Sequence, residues 1–186
     1  AALFLIENMD EHCYVSVTAC DSNKTDIPWN IRDYANFQEA QCAMDSLEKE
    51  HGSFMWKLEE RREDVNAMSA DFLIHNVEDA FSAWQNLPWA KGYSYDIFLK
   101  YILPYRGSNE PLPESATWRL EFMEKYKDIA SQMTDPSDPL EAATIINKEL
   151  RTWFTFDEIY YLHPTDQGID EMRESHLGRC EDMTNL

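Results

Sequence analysis

The residues best suited to chemistry lie near the end of the sequence, in Ser175-His176-Leu177-Gly178-Arg179-Cys180-Glu181-Asp182-Met183-Thr184-Asn185. A cysteine acts as a nucleophile through its thiolate, so its neighbours matter more than its presence. Gly178, two residues before the cysteine, lets the backbone turn sharply and approach a substrate closely. Glu181 and Asp182 are typical of the first turn of a helix, where carboxylates complement the macrodipole, which predicts Cys180 at a helix N-terminus. There the helix dipole and the Arg179 guanidinium would pull the thiol below its usual pKa of about 8.5, while Glu181 and Asp182 would oppose that pull. The competing expectation is a small buried hydrophobe, the common fate of a free cysteine.

Other reactive types offer less. Cys13, Cys20, Cys42 and Cys180 are too few and too spread for a disulfide scaffold. Cys13 and Cys20 either pair across a short loop in an exported protein or stand as two free thiols. Cys42 falls opposite an apolar stripe and is expected to be an exposed bystander. No CxxC or HExxH spacing supports a zinc site, and no cofactor is implied. His163-Pro164-Thr165-Asp166 invites a metal or acid/base role, but a residue before proline favours extended backbone and reads more simply as loop. His176 precedes Cys180 by four, with Gly178 interrupting any helix that would face the two together. Tyr160-Tyr161 reads as core or groove lining.

The elements that must position these residues are mostly helical. Asn36 and Glu39 form a capping box ahead of Phe37, Ala40, Met44 and Leu47, with Gly52 as a left-handed stop. Leu73, Val77, Phe81 and Trp84 mark a helix ending before Pro88. Ser94 opens a shorter one through Phe98, Tyr101 and Ile102. The segment from Pro104 to Pro113, with three prolines and a glycine, is a loop and a possible sub-domain seam. Trp118, Phe122, Tyr126 and Ile129 follow on one face. Asp138, Pro139 and Glu141 then open a helix striped by Ile146, Leu150 and Trp153. Alternation at Val15, Val17 and Ala19 allows one short strand over residues 14–20. The fold class expected is mainly α.

Gly178-Arg179-Cys180-Glu181-Asp182-Met183-Thr184-Asn185-Leu186 resembles the G-x-C-x-[DE]-x-x-x-[LF] motif of the transglutaminase-like superfamily. Phe4-Leu5-Ile6-Glu7-Asn8-Met9 and Tyr101-Ile102-Leu103-Pro104-Tyr105-Arg106 are similar to the helical region that precedes the core in large bacterial members. The resemblance implies a papain-like α+β fold with a Cys-His-Asp triad, in which Cys180 is the nucleophile and the His and Asp follow on later strands. On that basis residues 1–109 are the helical N-terminal region and 110–186 the start of the core, with the β-sheet C-terminal to Leu186. All five histidines (His12, His51, His75, His163, His176) precede Cys180, the wrong order for the family's base. The 186 residues alone are therefore expected to be inactive, although the complete unit would carry out acyl transfer or amide hydrolysis. The implied substrate is a protein, peptide or glycopeptide, and members of this kind are often exported. Family members can use an upstream Trp indole as an oxyanion donor, but the motif reaches neither Trp118 nor Trp153. A non-catalytic helical binding or structural domain is the alternative.

Composition sets the outer limits. Sixteen basic against 35 acidic residues give a net charge of −19. The surplus runs along the whole sequence as a solvated surface, which disfavours nucleic acid and anionic membranes. Six Trp, nine Phe and nine Tyr supply more apolar area than a disordered chain carries. No run is long enough to span a bilayer, so no membrane insertion is expected. The first residues, Ala1-Ala2-Leu3-Phe4-Leu5-Ile6, read as helix interior and Asn185-Leu186 carries no stop signal, as in a piece of a longer protein.

Overall fold

The computed structural model describes residues 1–184; Asn185 and Leu186, the last two positions of the cysteine motif, lie outside the described residues. Helix predominates, as the periodicity predicts. The chain divides into two compact units, each built from separate stretches of sequence. The first contains Ala1–His12, Asp64–Arg106 and Pro113–Trp153; the second contains Cys13–Glu63, Gly107–Leu112 and the chain from Phe154 onward. The expected division at residues 109/110 falls inside Gly107–Leu112, which belongs to the second unit.

In the first unit, α1 (Ala2–Glu7), α3 (Asp64–Ala67) and α4 (Ala70–Asn86) come first, followed by α5 (Tyr95–Ile97), which continues into a π-helical turn over Phe98–Ile102. Then come α6 (Trp118–Tyr126) and α7 (Pro139–Leu150). Ser69 and Ser94 cap α4 and α5, their hydroxyls accepting the N–H groups of Phe72 and Ile97. The buried face of α4 is Phe72, Asn76, Ala80 and Ala83, one residue N-terminal to the apolar stripe expected from sequence. Asn76 explains the offset. It is buried among apolar neighbours because its amide donates to the Leu103 carbonyl at 2.9 Å and accepts from Arg119 at 3.2 Å. Burial drags the Arg119 guanidinium down to about 10. Phe81 and Trp84 pack on Phe98, with centroids at 4.6 and 4.7 Å, whereas Tyr101 is exposed. The expected capping box of α7 is only half formed. Asp138 accepts from Leu140 N–H, but Glu141 takes the N–H groups of Thr134 and Asp135 in the preceding turn.

The second unit holds the strands. β1 (Cys13–Cys20) pairs antiparallel with β2 (Met55–Glu63), and α2 (Phe37–His51) connects them through the predicted Asn36 cap and Gly52 at φ 79°. Glu39 reaches back to Ala35 N–H at 3.1 Å and so closes the cap one residue earlier than expected. The sequence pointed to one strand; among the described residues there are four, in two small sheets. β2 escaped notice because its Lys-Leu-Glu-Glu-Arg-Arg-Glu run is polar on both faces, and much of it is exposed. A second, parallel ladder joins β3 (Thr155–Phe156) to β4 (Leu177–Gly178), on either side of α8 (Ile169–Ser175). Ile31, Ala40, Ile159 and Tyr160 form the core here, flanked by Trp29, Tyr34, Leu162 and Leu177.

β1 also removes one disulfide possibility. Cys13 and Cys20 stand at opposite ends of an extended strand, roughly 23 Å apart at ~3.3 Å per residue, far beyond the reach of an S–S bond. All four cysteines are free.

The first unit contains a buried ion pair that its helices close over. Asp64 (0% exposed) accepts from Arg106 (3%) through Nε at 2.9 Å and Nη2 at 2.6 Å, and from the Tyr105 hydroxyl at 3.0 Å. Burial and the adjacent carboxylate hold the Tyr105 phenol well above its ordinary range. Removing one partner of such a pair strands the other charge in a low-dielectric interior. Asp64→Ala is expected to cost about 3–5 kcal/mol in urea unfolding. The double replacement Asp64→Leu/Arg106→Met should recover most of that loss, because both charges are then gone.

Candidate functional site

Cys180 is held at the start of a short helix by three local features of the second unit. First, α8 ends at His176, whose left-handed backbone (φ 54°) turns the chain into β4. Thr155 N–H donates to His176 O at 2.9 Å and Asp157 N–H to Gly178 O at 3.0 Å, so the ladder fixes the approach to the cysteine. Second, Gly178 is packed against Met172 and Asp182. A Cβ placed on it would lie 3.1 Å from Met172 Cε and 3.2 Å from Asp182 Cβ. Its φ is not positive, so the glycine is required by close packing in the interior, not by a sharp turn toward substrate as the sequence suggested.

The third feature is Asp182, 1% exposed, in the first turn of α9 (Cys180–Thr184). One carboxylate oxygen accepts from Gln167 N–H at 2.8 Å. The other accepts from Arg179 N–H at 3.0 Å and from the Gln167 side-chain amide at 3.1 Å. Asp182 thus staples the α8–α9 turn to the segment that precedes α8. Gln167 in turn donates to Leu177 O at 3.2 Å.

Cys180 itself is exposed, which sets aside the buried-hydrophobe expectation. Its position at the first residue of α9 matches the reading from sequence. Arg179 does not play the part expected of it. Its guanidinium is ion-paired with Asp166 and donates to the carbonyls of Tyr160 and His163, at 3.4 and 3.2 Å. That charge is already neutralised within the unit and is not free to bias the thiol. The neighbour the sequence did not single out as a partner is Tyr161, whose hydroxyl donates to Cys180 Sγ at 3.8 Å. This contact holds the Tyr161 phenol above its ordinary range. Tyr161 stands on a 3₁₀ turn (Glu158–Leu162) capped by Asp157, and no periodicity in the sequence links that turn to Cys180.

The remaining candidates fall away from the cysteine. His163 Nδ1 lies 2.8 Å from Thr165 O in a local turn, and Asp166 pairs with Arg179, so the His163-to-Asp166 segment is structural. His176 is a helix terminus beside the Phe154 ring at 6.1 Å. Among the described residues no histidine is hydrogen-bonded to Cys180. Cys42 is exposed on α2, as expected. Trp118 is buried and Trp153 half-buried in the first unit. Among the described residues no group of three or more His, Cys, Asp or Glu side chains is placed to hold a metal ion. Nor, among them, is any helix long and apolar enough to cross a membrane.

The clamp predicts two stability effects. Asp182→Asn removes the charge and turns an amide group toward donors, so it should cost about 1–3 kcal/mol. It should also speed amide hydrogen exchange at Gln167 and Arg179. Gly178→Ala should cost about 1–3 kcal/mol through overpacking against Met172. Urea unfolding and exchange-detected NMR read both.

Comparison of the chain with protein-family models, with curated proteins and with solved structures found no match.

Proposed function

We propose that Cys180 is the nucleophile position of a transglutaminase-like cysteine enzyme, and that α9 and the turn before it begin a papain-like α+β core. The observation that carries this reading is the contrast within one helical turn: Cys180 is exposed while Asp182, two residues on, is buried and pins the backbone on which the cysteine rides. A nucleophile has to be accessible and fixed, and this turn meets both requirements.

The chemistry would be acyl transfer. The thiolate attacks an amide carbonyl, the amine leaves with a proton, and the thioester passes its acyl group to water or to a second amine. The Cys180 backbone N–H is one candidate oxyanion donor. The thiol proton needs an imidazole acceptor, and in this superfamily that histidine and its Asp follow the cysteine in sequence. The five histidines here precede it, so these 186 residues by themselves are expected to turn over no amide substrate. The substrate class implied is a protein, peptide or glycopeptide.

The second reading, a non-catalytic helical domain that keeps the motif as scaffolding, draws on the same geometry. Arg179 and Asp182 both make hydrogen bonds that hold the fold together, whatever Cys180 does.

The rate of iodoacetamide alkylation at a fixed pH separates the two readings, with Cys42 as an exposed reference on α2. Cys180, accessible and held by the clamp, is expected to react at least as fast as Cys42. Tyr161→Phe, which removes the hydroxyl that donates to Sγ, should slow alkylation of Cys180 and leave Cys42 unchanged. A Cys180 alkylated roughly tenfold or more slowly than Cys42 would overturn the nucleophile assignment in favour of the scaffold.

A further inference from the structure

A second feature of this unit shares Gln167 with the clamp but does not include the cysteine. Tyr34, Trp29, Phe54 and Trp56 form a run of four half-buried aromatic rings, with successive centroids 5.1, 5.3 and 5.5 Å apart. Trp29 and Trp56 line a depression of about 290 Å³, together with Asn30, Arg32, His163 and Glu171. Tyr34 lines a second depression of about 370 Å³. The two share Ile31, Arg32 and Tyr160, so they adjoin, and Arg32 stands at the junction in a 2.7 Å ion pair with exposed Glu174.

These features select a ligand by its chemistry. Half-buried indole rings on a groove wall suit a ligand with a broad C–H surface, and planar polar side chains at the rim suit one edged with hydroxyls. Charge selects against anions: Arg32 is balanced by Glu174, and the chain as a whole carries −19. An added peptide strand is poorly served on this wall, because the β1 backbone is already used there. One edge pairs with β2, and Ala19 O on the other accepts from Ile27 N–H at 2.8 Å. Trp29 Nε1 is buried without an acceptor among the described residues, a donor that the unliganded fold leaves unsatisfied.

We propose that the two depressions form one groove that binds a neutral oligosaccharide. Sugar rings lie on the Trp29 and Trp56 faces, and the Arg32–Glu174 pair bridges adjacent hydroxyls at the junction.

The test is titration of the 186-residue chain with cellotriose, maltotriose and chitotriose, followed by tryptophan fluorescence and ¹H–¹⁵N shifts. At least one trisaccharide should bind with a Kd in the millimolar range or below, with shifts centred on Asn30, Arg32 and Trp56 and an affinity unchanged by salt. Trp56→Ala should weaken binding roughly tenfold or more, as expected for a central aromatic contact. Arg32→Ala, at an exposed side chain, reads the same site if Trp56→Ala disturbs the sheet. Cys180→Ser should leave the affinity unchanged, so this proposal and the nucleophile assignment stand or fall separately. Failure of all three sugars at millimolar concentration would overturn it, as would displacement of a bound sugar by the neutral peptide Ala-Gln-Ala at equal concentration.

Discussion

The buried carboxylate of Asp182 is the constraint on which the candidate site depends. A lone ionised carboxylate at that depth would be expelled or protonated, so its retention requires donors aimed at it from the surrounding chain. Those donors are the backbone N–H groups of Gln167 and Arg179 and the Gln167 amide. One side chain thereby fixes the entry to α8, the exit from β4 and the first turn of α9. The exposure of Cys180 follows from the burial of Asp182. On a single helical turn, residues two apart point in well-separated directions, and once one is anchored inward the other is left outside.

The same logic explains how a chain with a surplus of acids folds without distributing that surplus evenly. Each unit has a buried acid whose charge is answered. Asp64 meets Arg106 and the Tyr105 hydroxyl in one; Asp166 meets Arg179 in the other. Such pairs do not add much stability relative to an apolar core of the same shape. They penalise any arrangement that separates the partners, and so they favour a single packing. Acids at the surface are screened by water, and buried Glu110 is answered by the backbone N–H groups of Gly107 and Ser108.

Much of this was legible in sequence where the signal is local. Asn36, Ser94 and Asp138 act within their own first turn, so short-range chemistry suffices to find a cap. The position of Cys180 at a helix start was legible for the same reason. What escaped depends on pairing across the chain. β2 has no period-2 apolar pattern, because its register with β1 is carried by backbone hydrogen bonds and its charged side chains lie in solvent. The α4 face was misplaced by one residue because Asn76 is polar by type and buried by virtue of Leu103 and Arg119, partners 27 and 43 residues away. Gly178 was correctly singled out for the wrong reason: its neighbours Met172 and Asp182 converge on it only after α8 and α9 have formed. Tyr161 could not be found as a partner, since the contact with Cys180 spans 19 residues, with α8 and β4 between.

The corrected role of Arg179 bears most directly on what Cys180 can do. From sequence, a cation next to the thiol seemed an activator. In the fold that cation pairs with Asp166 and two carbonyls and lies 3.7 and 3.8 Å from the carboxylates of Asp182 and Glu181, so acids outnumber it at the turn. The sulfur is left with the Tyr161 hydroxyl, a neutral donor, and with the exposed carboxylate of Glu181 on the neighbouring residue. A neutral donor stabilises a thiolate modestly, and an exposed carboxylate acts against it through a high dielectric. Strong activation therefore requires an additional cation brought to Sγ, and an imidazolium is the group that can also take the proton. On the proposed reading the clamp supplies position and a base would have to supply reactivity, so the two demands on a cysteine nucleophile would fall on different groups.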